Sequence, residues 1–285
     1  MEKEATCPVC FRHCRLKEGQ TGFCRGRKCV DGEVICDNYG MLTSIALDPI
    51  EKKPLARFMP GSMILSVGSC GCNLACPFCQ NHEISYSCEP DPEPVPMRYV
   101  SPEELCSIAM SERPYRNIGV AYTYNESLIS WEYIRDAGRL VHEAGMKNVL
   151  VSNGTCEAEI LREILPYIDA MNIDLKGFSA PFYKDYLKGD LDQTKEFIKT
   201  VAACPTCHLE LTTLIIPGHN DTEEEMREMT GWIASLPGGE TIPYHISRYF
   251  PRNKTLDIPA TDVSLIYGLA DVAREKLKHV FTGNC

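Results

Sequence analysis

Six short apolar runs alternate with six longer helical patterns from residue 62 onward, and this order most narrows the folds open to the chain. The runs at 63–67, 118–123, 148–151, 170–174, 209–216 and 241–246 are rich in β-branched and apolar residues, as strands are. The stretches 102–111, 128–144, 157–165, 193–203, 223–236 and about 262–277 carry apolar residues at three- and four-residue spacing, as sheet-covering helices do. Strand–helix alternation implies a parallel sheet closed or partly closed on itself. Six units predict an α/β fold with a partial parallel (β/α)6 barrel rather than the full eight. Residues 1–60 are cysteine-, glycine- and charge-rich with weak periodicity, so the expected organisation is an irregular cysteine-rich segment over 1–60 and a barrel over 61–285. The stretch 88–96 alternates proline with acid and reads as an extended connector.

Cys72, Cys76 and Cys79 are spaced C-x3-C-x2-C. Three thiolates do not complete a four-ligand zinc site or hold all four irons of a [4Fe–4S] cluster. They hold three irons and leave the fourth an open position. A zinc knuckle or three core thiols are the alternatives at this spacing. A second group, Cys7-x2-Cys10-x3-Cys14 with Cys24, fits a structural zinc, a second iron–sulfur cluster, or plain thiols. Sixteen cysteines in 285 residues fall below the density of a disulfide scaffold. The N-terminus has no apolar signal core and no run is long enough to span a bilayer, so reduced thiols in a cytoplasmic protein, with no membrane partner, are expected. A net charge of −10 argues against nucleic acid as a partner.

In parallel α/β barrels, chemistry gathers where the strands end. The cysteine loop, Thr123-Tyr124-Asn125-Glu126, Ser152-Asn153-Gly154, Asp174 with Lys176, Pro217-Gly218, and His245 all fall at or near such ends, which marks one rim as an active-site mouth. Each group also has a structural reading. Asn125 and Glu126 suit a helix N-terminus, Asn153-Gly154 is turn chemistry, Asp174 and Lys176 form an ion pair, and Ile216 and His245 are core residues.

Ser66-Val-Gly-Ser-Cys-Gly-Cys-Asn73 and Cys79-Gln80-Asn81 resemble the cluster loop of radical S-adenosylmethionine (SAM) enzymes. The resemblance implies a [4Fe–4S] cluster on Cys72, Cys76 and Cys79 whose open iron chelates SAM. It further implies reductive cleavage of SAM to methionine and a 5′-deoxyadenosyl radical, with flavodoxin or ferredoxin as the kind of electron donor. Asn125 and Glu126 stand at the superfamily's Gly-Gly-Glu position, where polar groups bind the SAM ammonium; both glycines are absent. Leu214–Asp221 is similar to the G-x-I-x-G-x-x-E pattern, which assigns Ile216 to the adenine. Ser152 and Asn153 are assigned to the ribose. Asp174 and Lys176 resemble the Asp-x-Lys of pyruvate formate-lyase activating enzyme near the SAM carboxylate, and His245 resembles its histidine close to SAM.

Cys7-Pro-Val-Cys10, Gly22-Phe-Cys24, Asp48-Pro-Ile-Glu-Lys-Lys-Pro-Leu55, Pro60-Gly-Ser62 and Ile84-Ser85 are similar to the radical SAM enzymes of the AmmeMemoRadiSam system, over nearly the whole chain. Ala56-Arg57 departs from an aromatic–histidine pair usual in that family, and Ser127 from a usual proline. The implied reaction is hydrogen abstraction from a protein, peptide or small molecule, with activation of a glycyl radical enzyme as the nearest chemistry. Modification of a metabolite or peptide beside Memo-like partners, and non-catalytic iron–sulfur or zinc binding, are the alternatives.

Overall fold

The computed structural model describes residues 3–85 and 95–285; most of the expected connector at 88–96 lies outside the described residues. Eight strands form the central sheet: β1 (Ser44–Pro49), β2 (Met63–Gly68), β3 (Asn117–Tyr122), β4 (Lys147–Ser152), β5 (Ala170–Asp174), β6 (His208–Ile215), β7 (Tyr244–Arg248) and β8 (Val280–Gly283). They lie in sequence order across the sheet. All neighbours pair in parallel except β1, which runs antiparallel to β2. Six helices connect them: α1 (Pro102–Ser111), α2 (Trp131–Glu143), α3 (Ala158–Ile164), α4 (Leu191–Ala202), α5 (Glu223–Ala234) and α6 (Val263–Arg274).

The six expected strand–helix units from β2 to α6 are therefore present, in an α/β fold with a mostly parallel sheet. An extra strand lies on each edge. β8 is four residues long, too short to carry a period of its own. β1 comes from within the stretch that composition marks as irregular, and it joins the main sheet. The N-terminal region also holds two hairpins, Glu4–Thr6 with Arg15–Lys17 and Arg27–Val30 with Glu33–Cys36. One boundary needs correction. The sixth strand starts at Tyr244, because Gly239–Thr241 form a 3-10 turn and Pro243 has no N–H for a ladder. His245 is thus the second residue of β7 rather than near its end.

Alternation along the strands builds two layers. Leu65, Val67, Val120, Tyr122, Leu150, Met171, Ile173, Leu211, Tyr244 and Ile246 face the helices in the larger core. Ile64, Ala121, Val149 and Ala170 face inward and pack with Ile50 and Leu55 of the segment after β1. That segment, residues 50–57, forms a strap across the inner face. Asn172 Nδ2 donates to Pro54 O at 2.8 Å, and the amides of Ala56 and Arg57 donate to Glu210. Helix starts are set locally: Ser101 caps α1 ahead of Pro102, Asp190 caps α4, and Thr222 caps α5.

Between β2 and β3 the register shifts, and Asn117 Oδ1 accepts from the amides of both Leu65 and Gly119. Gly119 fits this irregularity because a Cβ there would sit 1.7 Å from Lys147 O on β4. Gly119→Ala must push two central strands apart. A loss near the upper end of about 1–3 kcal/mol is expected, read as a lowered urea midpoint with an unchanged slope. A midpoint equal to wild type would show that the sheet yields here without strain.

Candidate active site

The loop after β2 carries Cys72, Cys76 and Cys79 to a cavity of about 810 Å³, which all three border. Its conformation is held from several sides. Asn125 clamps the loop entrance: Oδ1 accepts from Ser69 N at 2.9 Å, and Nδ2 donates to Cys70 O and Gly71 O, each at 3.1 Å. Gly71 lies at φ +92°, and a Cβ there would meet Cys24 O at 2.2 Å. Asn73 is fully buried, donates to Thr155 O and accepts from Asn153 Nδ2. Ala75 N donates to Leu187 O, the last residue of a π-helical turn over Phe182–Leu187. Asn81 Nδ2 reaches Tyr124 O at 2.6 Å.

Glu126 lies beneath this loop, buried, at the end of the β3 connection. Its Oε1 accepts from Leu128 N at 3.0 Å and Ser152 Oγ at 2.8 Å; its Oε2 accepts from Asn153 N at 2.8 Å. The structure thus brings Glu126, Ser152 and Asn153 into one hydrogen-bonded group, and Glu126 does cap the turn that follows. Burial raises the Glu126 pKa above the ordinary carboxylate value despite these donors. Burial likewise holds the Cys72 thiol well above its usual range, with the Glu126 charge adding to the effect. Asp174 and Lys176 pair at 2.8 Å on the cavity wall. Burial opposes the Lys176 ammonium, but Asp174, Cys76 and Tyr183 together outweigh it and raise the pKa. Ile216 is fully buried in the larger core, its amide bound by Asn220 Oδ1, and it does not border the cavity. His245 borders the cavity while bonded to Glu210 at 2.6 Å. Arg248 is taken up by Thr261 O and the Phe250 ring.

The opposite wall is the strap. Asp48 accepts from Lys52, Lys53 and, at 2.6 Å, Tyr124 Oη. Burial would raise the Asp48 pKa, but these donors prevail and hold it below the carboxylate range. Tyr124 sits at φ +72°, a left-handed conformation that disfavours an L side chain by about 1–2 kcal/mol. Its carbonyl, hydroxyl and ring face are fixed by Asn81, Asp48 and Lys53 respectively. Tyr124 thus keeps a backbone shape that glycine supplies more readily.

The N-terminal cysteines pack against the same loop. Cys7, Cys10, Cys14 and Cys24 lie near enough to act on one another electrostatically, and burial pushes the Cys24 thiol up to about 12. Arg12 stands between the two cysteine groups, feels Cys10, Cys14, Cys72 and Cys24, and donates from Nε to Asn73 O at 2.7 Å. Among the described residues no cysteine is in a disulfide, and no three His, Cys, Asp or Glu side chains are close enough to share a single metal ion. No helix among them is long and apolar enough to cross a membrane.

Residues 66–233 match the Radical SAM superfamily, and the chain belongs to it. It is 38% identical over 284 residues to the uncharacterized protein MJ0808 of Methanocaldococcus jannaschii, covering 99% of this chain and 82% of that one. It is 23% identical over 183 residues to the pyruvate formate-lyase 1-activating enzyme of Escherichia coli, covering 61% of this chain and 71% of that enzyme. The fold is similar to Streptococcus suis SuiB bound to S-adenosylmethionine, with a TM-score of 0.57 and 12% identity over 78% of this chain and 52% of SuiB. The protein is an enzyme of SAM-dependent radical chemistry.

Asp48, Lys53 and Glu210 join the hydrogen bonding around the cavity without having been singled out by the sequence, while Asn73 and Tyr124 stood inside the cluster-loop and rim motifs without a role of their own. Asp48 and Lys53 were visible only inside the Asp48–Leu55 motif, with no hint that the motif faces the cysteine loop. A fully buried glutamate on a strand, such as Glu210, was signalled only by its interruption of an apolar run.

Proposed function

We propose that Cys72, Cys76 and Cys79 hold a [4Fe–4S] cluster, with SAM in the adjoining cavity, for hydrogen abstraction from a substrate seated between SAM and the strap. The observation that supports this best is the convergence on one cavity of three cysteine thiols with Glu126, Ser152, Asn153, Asp174 and Lys176. When bound, the cluster supplies the electron that splits SAM and releases the 5′-deoxyadenosyl radical. The chain's residues do the rest. Glu126 offers its buried carboxylate to the SAM ammonium. Ser152 and Asn153, already fixed by Glu126, are placed for the ribose, and Lys176 is placed for the SAM carboxylate with Asp174 as its counter-charge. Asn125 acts on the loop backbone that presents the thiols. Ile216 is proposed to back the adenine from within the core, and His245 to close the cavity's lower part.

Similarity to the pyruvate formate-lyase 1-activating enzyme supports an activase-like reaction, with an electron donor of the flavodoxin or ferredoxin kind. The strap, which closes the lower cavity, favours as a second reading a small molecule or one inserted side chain as the radical acceptor. The test is anaerobic incubation with dithionite and SAM: 5′-deoxyadenosine is expected to accumulate slowly without substrate. A protein with a full complement of iron that forms none would refute the reading.

Cys7, Cys10, Cys14 and Cys24 are proposed to form a second metal site distinct from the catalytic cysteines, an iron–sulfur cluster, whose irons each take one thiolate, or a zinc, which would require the four thiols to draw closer than they lie here. Replacing all four with serine is expected to leave a SAM-responsive cluster in place. If zinc is bound, zinc and some stability are lost; if a second cluster is bound, iron falls, and turnover with a protein reductant drops more than turnover with dithionite. Equal zinc and iron contents in wild type and variant would leave these residues as thiols.

A further inference from the structure

Glu210 has no exposed side-chain surface, yet it lies on the inner face of β6. Four donors converge on it. His208 Nε2 reaches Oε1 at 2.9 Å, Arg57 N reaches Oε1 at 2.8 Å, Ala56 N reaches Oε2 at 2.9 Å, and His245 Nε2 reaches Oε2 at 2.6 Å. A carboxylate accepts about four hydrogen bonds, so Glu210 is saturated. Burial opposes its charge, but the two imidazoles and two amides outweigh burial and bring its pKa down to about 2.

An ionised carboxylate is an acceptor only, so each imidazole that meets it must carry its proton on Nε2. For His245 this leaves Nδ1 as the open ring position. The ring is also held flat against Phe281, with centroids 5.2 Å apart and planes at 21°. His245 borders the cavity together with Lys53, Pro54, Thr212 and Ser247, on the side of the strap. Because Ala56 and Arg57 hang from the same carboxylate, Glu210 sets both the imidazole and the strap beside it.

We infer that Glu210 is a positioning residue: it locks His245 in the Nε2–H form and presents Nδ1 as a proton acceptor to a polar substrate, one that offers a hydroxyl or ammonium, between the strap and the SAM-binding rim. This rests on the radical SAM reading of the same cavity. The arrangement matches a general base whose tautomer is fixed by a third group. It assigns a role to a residue that touches neither the cysteine loop nor the Glu126 group.

The test is imidazole 15N NMR of protein with its oxidised cluster, at a pH where His245 is neutral. The His245 signals are identified by their loss in His245→Gln. Wild type is expected to show protonated Nε2 and unprotonated Nδ1; the opposite tautomer would overturn the inference without any Glu210 variant. In Glu210→Gln the preference for Nε2–H is expected to fall roughly tenfold, the effect of losing one charge-assisted hydrogen bond. A folded Glu210→Gln protein with the wild-type tautomer ratio would also overturn it. Diethyl pyrocarbonate gives a second readout: an adduct at His245 is expected, with exposed His13 as the positive control. An adduct at His13 and none at His245 would show Nδ1 closed off. Formation of 5′-deoxyadenosine by wild type reports on the SAM reading separately, so the two ideas fail by different measurements.

Discussion

Changing Cys72, Cys76 or Cys79 singly to alanine is expected to remove the catalytic cluster's optical absorption and paramagnetic signals and to stop 5′-deoxyadenosine formation. Each thiol borders the same cavity, and three ligands leave no spare to replace a missing one. At Cys72, burial and the Glu126 charge together hold the thiol well above its usual range. Metal binding must supply the free energy that takes the thiol protons off, so an incomplete ligand set loses most of the affinity. The fold itself is expected to survive, because the loop is also held by Asn125, Asn73 and the contact of Ala75 with Leu187. Folded single variants with iron content and spectra equal to wild type at all three positions would overturn the assignment. Loss of signal in the N-terminal serine variant but not in these three would move the cluster to Cys7, Cys10, Cys14 and Cys24.

The parallel sheet was legible because its strands are buried on both faces and read as apolar runs, with helices of matching period between them. α1 fell on the expected residues, since Ser101 and Pro102 mark its start chemically. β1 and β8 were not legible: as edge strands they owe their place to β2 and β7, not to a pattern of their own. The rim was legible in outline because polar residues stand out where an apolar strand ends. Glu126, Ser152 and Asn153 did come together there. The strap was not. Its hydrogen bonds to the sheet, between Pro54 and Asn172 and between Ala56 or Arg57 and Glu210, span more than a hundred residues of sequence, and no local period encodes such a pairing. His245 shows how a shifted strand start changes a reading. Moving the start of β7 to Tyr244 moves this residue from the mouth toward the strap, where Glu210 waits for it.

Glu126→Ala is expected to weaken SAM binding by about 1.5–3 kcal/mol, the range for a hydrogen bond to a charged group, or roughly ten- to a hundred-and-fifty-fold in Kd. The carboxylate is buried and already accepts from Leu128 N, Ser152 Oγ and Asn153 N, so its position is fixed before SAM arrives. Burial raises its pKa, which means the ionised form is held at a disadvantage in the free protein. An ammonium beside it relieves that disadvantage, so much of the affinity comes from a charge that the fold keeps poorly compensated. Removing the side chain also frees Ser152 and Asn153, the two residues proposed for the ribose, and this adds to the loss. Glu126→Gln separates the two effects. It keeps an acceptor for part of the group but removes the charge, so its SAM affinity should fall nearly as far as in the alanine variant while the fold loses less. Calorimetric titration with SAM on protein of equal iron content measures both. Unchanged affinity in folded Glu126→Ala would reduce Glu126 to the cap of the turn at Ser127–Ser130, and the ammonium would need another partner on the cavity wall.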